Sequence, residues 1–186
     1  VQDAVKPGGH HIFNLDDEIS HKFIAHSKSN YAFFSQTLTL EEIKSFIQSH
    51  TVYAAFIQDN VFCVYKDGAV NKIAHIDDVD LTYKGIAKHN IENVLAAICL
   101  SLELGRNFTE ITAGLLAFRN SEHNRGRFNM FEIQSNTILV DYGHNVASVD
   151  NMLKFAKKIV KPTGKVTVLL GFSGDDPNFL HWAGWV

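Results

Sequence analysis

A chain of 186 residues that is 46% apolar and 20% charged can build a packed core and is not a disordered polymer; its length suits one large domain or one and a half ordinary ones. A net charge of −3 gives no overall basic bias of the kind that marks a nucleic-acid binder. No apolar run approaches the roughly 18 residues of a membrane span, and the start does not read as a signal peptide. Cys63 and Cys99 lie in apolar stretches and read as small buried hydrophobes of a reduced, cytoplasmic compartment rather than a disulfide framework. The first residue is Val1, as in a processed product or a piece of a longer protein.

After a lead-in that ends in Lys6-Pro-Gly-Gly9, His10–Leu15 is an apolar run that stops on Asp16-Asp17, a strand followed by a helix N-terminus. Glu18–His26 is expected to be a short helix and Tyr31–Ser35 a second strand. Leu40–Ser49 has Leu40, Ile43, Phe46 and Ile47 at helical spacing, with Thr39 as its N-cap. Val52–Ile57, Val61–Tyr65 and Val70–Ile76 are separated by Asp-Asn and Asp-Gly punctuation, which predicts a small antiparallel meander; Val79–Thr82 is a further candidate strand. Asn90–Leu104 is the strongest helix, stopped by Gly105, and Thr109–Phe118 is another, with Thr109 as N-cap.

The polar stretch 119–124 reads as a linker, which divides the chain into 1–119 and 120–186. Beyond it come two strands around a polar Gln-Ser-Asn-Thr turn, the second of them apolar and buried over Ile138–Val140. A helix over Ser148–Val160 with a basic end follows, then the breaker Pro162-Thr-Gly164 and a buried strand over Lys165–Gly171. If the last two strands are parallel, this is the first half of a doubly wound sheet with a right-handed crossover.

Four places carry chemistry. Asp141-Tyr-Gly-His144-Asn145 follows a strand end, where open α/β sheets bind ligands; it can hold a ribose or a phosphate-bound magnesium, or simply cap the next helix. Arg125-Gly-Arg127 can grip phosphate bidentately, or be a solvated linker. Asn90 and Asn93 share one face of a helix start; Asn90 reads equally as an N-cap, whereas Asn93 stands inside the helix, where asparagine is a poor former. Asp16 and Asp17 can bind a cation, although capping is the simpler use. His10-His11 has no partner at metal-ligand spacing, so no structural metal site is expected. No phosphate-cradling loop occurs either: Gly164-Lys165 is followed by Val166, and Ile159 stands where the first glycine should be.

His89-Asn-Ile-Glu-Asn93-Val-Leu-Ala-Ala97, Arg125-Gly-Arg127-Phe-Asn129 and Asp141-Tyr-Gly-His-Asn145, in that order, resemble the Mur ligase family, and Asn14-Leu-Asp-Asp17 is similar to the family's Asn-x-Asp-Asp strand end. The nearest flavour is the ligase half of cyanophycin synthetase. The resemblance implies an α/β fold: the end of a central ATPase domain, a mixed sheet with a small antiparallel meander, in 1–119, and the start of a Rossmann-like C-terminal domain in 120–186. It implies an enzyme that uses ATP and Mg2+ to activate a carboxylate as an acyl phosphate and joins it to an amine, on an amino-acid or acidic-peptide substrate. By the same resemblance Asn93 contacts adenine with Asn90 in support, Arg127 reaches the phosphates, Asp141 holds the ribose, and His144 and Asn145 line the nucleotide, while 119–124 is the hinge.

The departures from the family are the missing P-loop, Arg125 where the family often has proline, and a divergent aromatic tail over Gly174–Val186, which reads as a truncation. The chain alone is therefore expected to lack ligase turnover. Two alternatives stand beside this reading: a non-catalytic scaffold that self-associates through exposed sheet edges, and a folate-type glutamate ligase or peptidoglycan ligase fragment.

Overall fold

The computed structural model describes residues 5–6, 9–27 and 29–171 and divides into two compact units, Val1–Phe118 and Arg119–Val186. In the first unit the strands β1 (His11–Asn14), β2 (Tyr31–Ser35), β3 (Thr51–Gln58), β4 (Val61–Lys66) and β5 (Ala69–His75) form one mixed sheet in sequential order. The pairs β1–β2 and β2–β3 are parallel, and β3–β4 and β4–β5 are antiparallel.

Alternation along the strands divides the apolar side chains between two cores. Tyr31 and Phe33 of β2 face Phe13, Ile24, Ile43 and Phe56, beneath the helices α1 (Glu18–His26) and α2 (Leu40–Phe46). Ala32 and Phe34 point the other way, toward Leu95, Ile98 and Ile111 of α3 (Lys88–Glu103) and α4 (Phe108–Ala117). Every residue of β2 is buried, as a parallel strand covered on both faces must be.

Local chemistry explains the boundaries. Thr39 caps α2 in a reciprocal box with Glu42, and Gly105, at φ +76°, ends α3 without the Cβ clash that another residue would meet. The hairpin turns Asp59-Asn60 and Asp67-Gly68 have both central residues at positive φ, the geometry that matches strand twist.

Two expectations fail in this unit. The α4 cap is Asn107, boxed with Glu110, rather than Thr109. Residues 79–82 are not a strand: Ile76–Asp78 and Asp80–Thr82 are 3-10 turns. The buried Thr82 hydroxyl donates to the carbonyls of Ile76 and Val79, closing the chain into turns and leaving no extended edge to pair.

The second unit contains α5 (Asn120–His123), an antiparallel pair β6 (Asn129–Ile133) and β7 (Asn136–Val140), and α6 (Val146–Ile159). Gln134 and Ser135, at φ +49° and +68°, make the two-residue turn. Within the stretch 119–124, Asn120–His123 form α5, and Asn120 is fully buried. The second strand is not buried as expected: Ile138 and Val140 are exposed, with Phe131 and Ile133 on the same face of the ribbon, since no layer among the described residues covers them. Residues 165–171 form no strand, and Leu169 is 98% exposed. A strand needs a ladder partner, and among the described residues this segment has none. The expected crossover pair is therefore absent there, and the aromatic tail lies outside the described residues.

Candidate functional site

In the first unit the Asn90–Asn93 face is built on a 3-10 turn. The Asn90 side chain is 4% exposed, and its Nδ2 donates to the Leu81 carbonyl at 2.8 Å. Asn90 is not the N-cap; Ala87 holds that place, with no side-chain cap.

The Leu81 carbonyl can only accept, so it fixes which way the Asn90 amide faces. Asn90 Oδ1 then points at Asn93, whose Nδ2 donates to it at 3.2 Å. Asn93 is exposed, and its bond to Asn90 leaves its own Oδ1 and second N–H unused by that bond. An amide presenting one acceptor and one donor side by side is the group that pairs with adenine N6 and N7.

Beside it, Glu92 accepts from Asn14 Nδ2 at 2.7 Å, and the Asn14 oxygen accepts the Asp16 amide. Burial pushes the Glu92 carboxyl up, with Asp16 and Asp17 adding to the effect. Asp16 accepts from the Ser35 and Thr37 hydroxyls and the Gln36 amide, and Asp17 caps α1. Both acids thus serve the loop and the helix. Among the described residues no group of three His, Cys, Asp or Glu side chains is arranged to hold a metal ion. Sequence reading passed over Glu92; its signal was a carboxylate between two asparagines at a helix start.

In the second unit Asp141 ties two loops together. Its Oδ1 accepts the Phe128 amide at 2.8 Å and its Oδ2 the Gly143 amide at 3.0 Å. Those bonds flank Arg127 and Tyr142, and the Arg127 guanidinium lies 4.4 Å from the centre of the Tyr142 ring. His144 sits 5.3 Å from the same ring. Arg127, Tyr142 and His144 are all exposed. This is a cation–π contact, and an exposed guanidinium held over a ring can still meet an anion.

Asn145 is the N-cap of α6, its Oδ1 accepting the Ser148 amide at 2.9 Å, so the capping use is the one observed. Sequence reading passed over Asn120 and gave no role to Asn129, two asparagines that are 1% and 2% exposed and bond the backbone around Arg127. Within their units, Asn90 and Asn93 come together, as do Arg127, Asp141 and His144.

No family model matches the chain. Curated relatives do. Over 183 residues, 97% of its length, the chain is 30% identical to cyanophycin synthetase from a Nostoc species, and it spans about a fifth of that protein (20%). It is 36% identical over 100 residues, 53% of the chain and 19% of the relative, to the Bacillus cereus UDP-N-acetylmuramoyl-L-alanyl-D-glutamate–2,6-diaminopimelate ligase. Among solved structures, MurF from Acinetobacter baumannii aligns with 75% of this chain and 32% of its own at 16% identity and a TM-score of 0.45. The chain is a relative of the Mur ligases. Along almost its whole length it is similar to one particular kind, cyanophycin synthetase.

Proposed function

We propose that the chain carries the adenine- and ribose-side contacts of an ATP-dependent ligase that joins an amino acid to a carboxylate, in the manner of cyanophycin synthetase. The observation that carries this reading is the amide relay from the Leu81 carbonyl through Asn90 to Asn93, which presets an exposed amide for adenine. The names of the relatives support the reaction class.

The first unit holds contacts suited to a base, and the second holds contacts suited to ribose and phosphate. Asn93 reads the base, and Asn90 holds Asn93. Arg127, held over the Tyr142 ring, grips phosphate oxygens. Each oxygen of Asp141 accepts one backbone N–H, and an ionised carboxylate has about four acceptor sites, so about two remain for ribose hydroxyls. His144 lines the same place, and Asn145 holds the turn by capping α6. The carboxylate substrate is an amino acid or acidic peptide.

The donor set for Mg2+ is not met among the described residues, since Asp16 and Asp17 are engaged by their own loop and helix. Without a P-loop among the 186 residues, this chain binds adenine nucleotide and does not turn it over. The test combines equilibrium ADP binding with an assay of ATP hydrolysis in the presence of amino acids and acidic peptides. Binding without sustained turnover is expected. Sustained turnover by this chain alone contradicts the half-site reading, and failure to bind any adenine nucleotide contradicts the whole of it.

A further inference from the structure

Arg127 stands on a backbone held in an uncommon shape. Gly126 is at φ +77° and Phe128 at φ +54°, so the arginine lies between two left-handed residues, and the second is an aromatic with a Cβ to accommodate. Such a shape persists only where the surroundings impose it. Two buried asparagines do so. Asn129 Oδ1 accepts the Gly126 amide at 2.7 Å, and its Nδ2 is shared among the carbonyls of Asn120, Asn124 and Arg127 at 3.1–3.3 Å. Asn120 Nδ2 donates to the Phe128 carbonyl at 2.8 Å and to that of Arg127 at 3.3 Å, and its Oδ1 accepts from Asn124. Phe128 is anchored below by an edge contact with Phe155, ring centres 4.9 Å apart.

These asparagines are buried and never face solvent, so they touch no ligand. A buried amide left unpaired is costly, and these bonds therefore lock the loop. We propose that Asn129, backed by Asn120, is a positioning residue that holds the Arg127 guanidinium on the Tyr142 ring and so presents it to the phosphates of the nucleotide. The proposal rests on the reading of Arg127 as a phosphate contact, and its test separates the two.

The full chain and its Asn129→Ala variant are compared by two readouts. The first needs no nucleotide: NMR shifts of the Arg127 side chain, moved upfield by the Tyr142 ring in the native chain. Asn129→Ala is expected to abolish that displacement while the melting transition persists; an unchanged displacement overturns the proposal. The second is affinity for ADP against adenosine. Asn129→Ala is expected to weaken ADP by about tenfold, the order of a charge-assisted contact, and to leave adenosine unchanged. In an Arg127→Ala background Asn129→Ala is expected to add nothing; an additive loss overturns the proposal.

If the native chain binds ADP no tighter than adenosine, the phosphate reading of Arg127 has failed, and the ring-current readout alone still decides whether Asn129 positions the guanidinium. Should Asn129→Ala not fold, hydrogen exchange on the native chain decides. The Gly126 and Phe128 amides are expected to be protected in an otherwise exposed loop, and fast exchange at both overturns the lock.

Discussion

Asn93 Nδ2 donates to Asn90 Oδ1 across one turn of α3, so a buried amide sets the orientation of an exposed one. The two residues should therefore separate on mutation. Asn90→Ala removes a buried amide bonded to Leu81 and is expected to cost about 1–3 kcal/mol of stability, with adenine affinity lost as well. Asn93→Ala is a surface change, expected to alter stability by less than about 0.5 kcal/mol while losing the same affinity. Chemical denaturation and ADP titration on both variants check this.

Glu92 gives the site a pH signature. Burial raises its folded-state pKa above the ordinary carboxylate range, with Asp16 and Asp17 adding to it. The folded protein therefore keeps this proton at pH values where the unfolded chain has released it. Below the unfolded value no penalty arises. As pH climbs through the raised folded value, stability is lost. Glu92→Gln keeps an oxygen for Asn14 Nδ2 and removes the charge, so it is expected to stabilise by up to about 1 kcal/mol at pH 7. Its advantage should disappear below about pH 4. Denaturant midpoints at the two pH values read the effect directly.

Both cysteines should be inert in the native chain. Burial pushes the Cys99 thiol up to about 12 and raises Cys63 as well, and both are buried and unbridged. Thiolate is the reactive form, so an alkylating reagent at pH 8 is expected to leave both untouched until denaturant is added. Mass spectrometry before and after denaturation reports this; modification of the native chain contradicts the burial.

Asp141→Ala removes the acceptor for two backbone amides, those of Phe128 and Gly143. The stack of Arg127 on Tyr142 should loosen, and the second unit should lose about 1–3 kcal/mol. Asp141→Asn keeps one oxygen and is expected to recover part of the stability but little ribose binding, so a comparison of adenosine with adenine affinity divides the structural use from the ligand use.

Much of the first unit was legible because its signals are local. Thr39 with Glu42, the Asp-Asn and Asp-Gly turns, and the apolar stripe of α3 each act within a few residues. The Asn107 cap was also written locally, with Glu110 three positions on, but Thr109 competed for the role. Residues 79–82 misled because Val79 and Leu81 alternate like a strand, while the Thr82 hydroxyl closes turns that alternation does not encode.

The second unit was harder to read. Residues 165–171 have the composition of a buried strand, and strand formation needs a neighbour that composition cannot supply. The roles of Asn120 and Asn129 come from side chains meeting backbone groups across a folded loop, which no period announces. Asn90 was visible as a helix-start asparagine, but its carbonyl partner on Leu81, nine residues back, was not.

The proposed role of Asn93 is to pair with adenine. Calorimetric titration of the full chain with ATP and with GTP tests it most directly, because guanine presents an acceptor where adenine presents its N6 donor. ATP is expected to bind about tenfold or more tightly than GTP, the worth of a paired amide contact, and Asn93→Ala to erase the difference. Equal binding of ATP and GTP by the native chain, or a preference that survives Asn93→Ala, would contradict it.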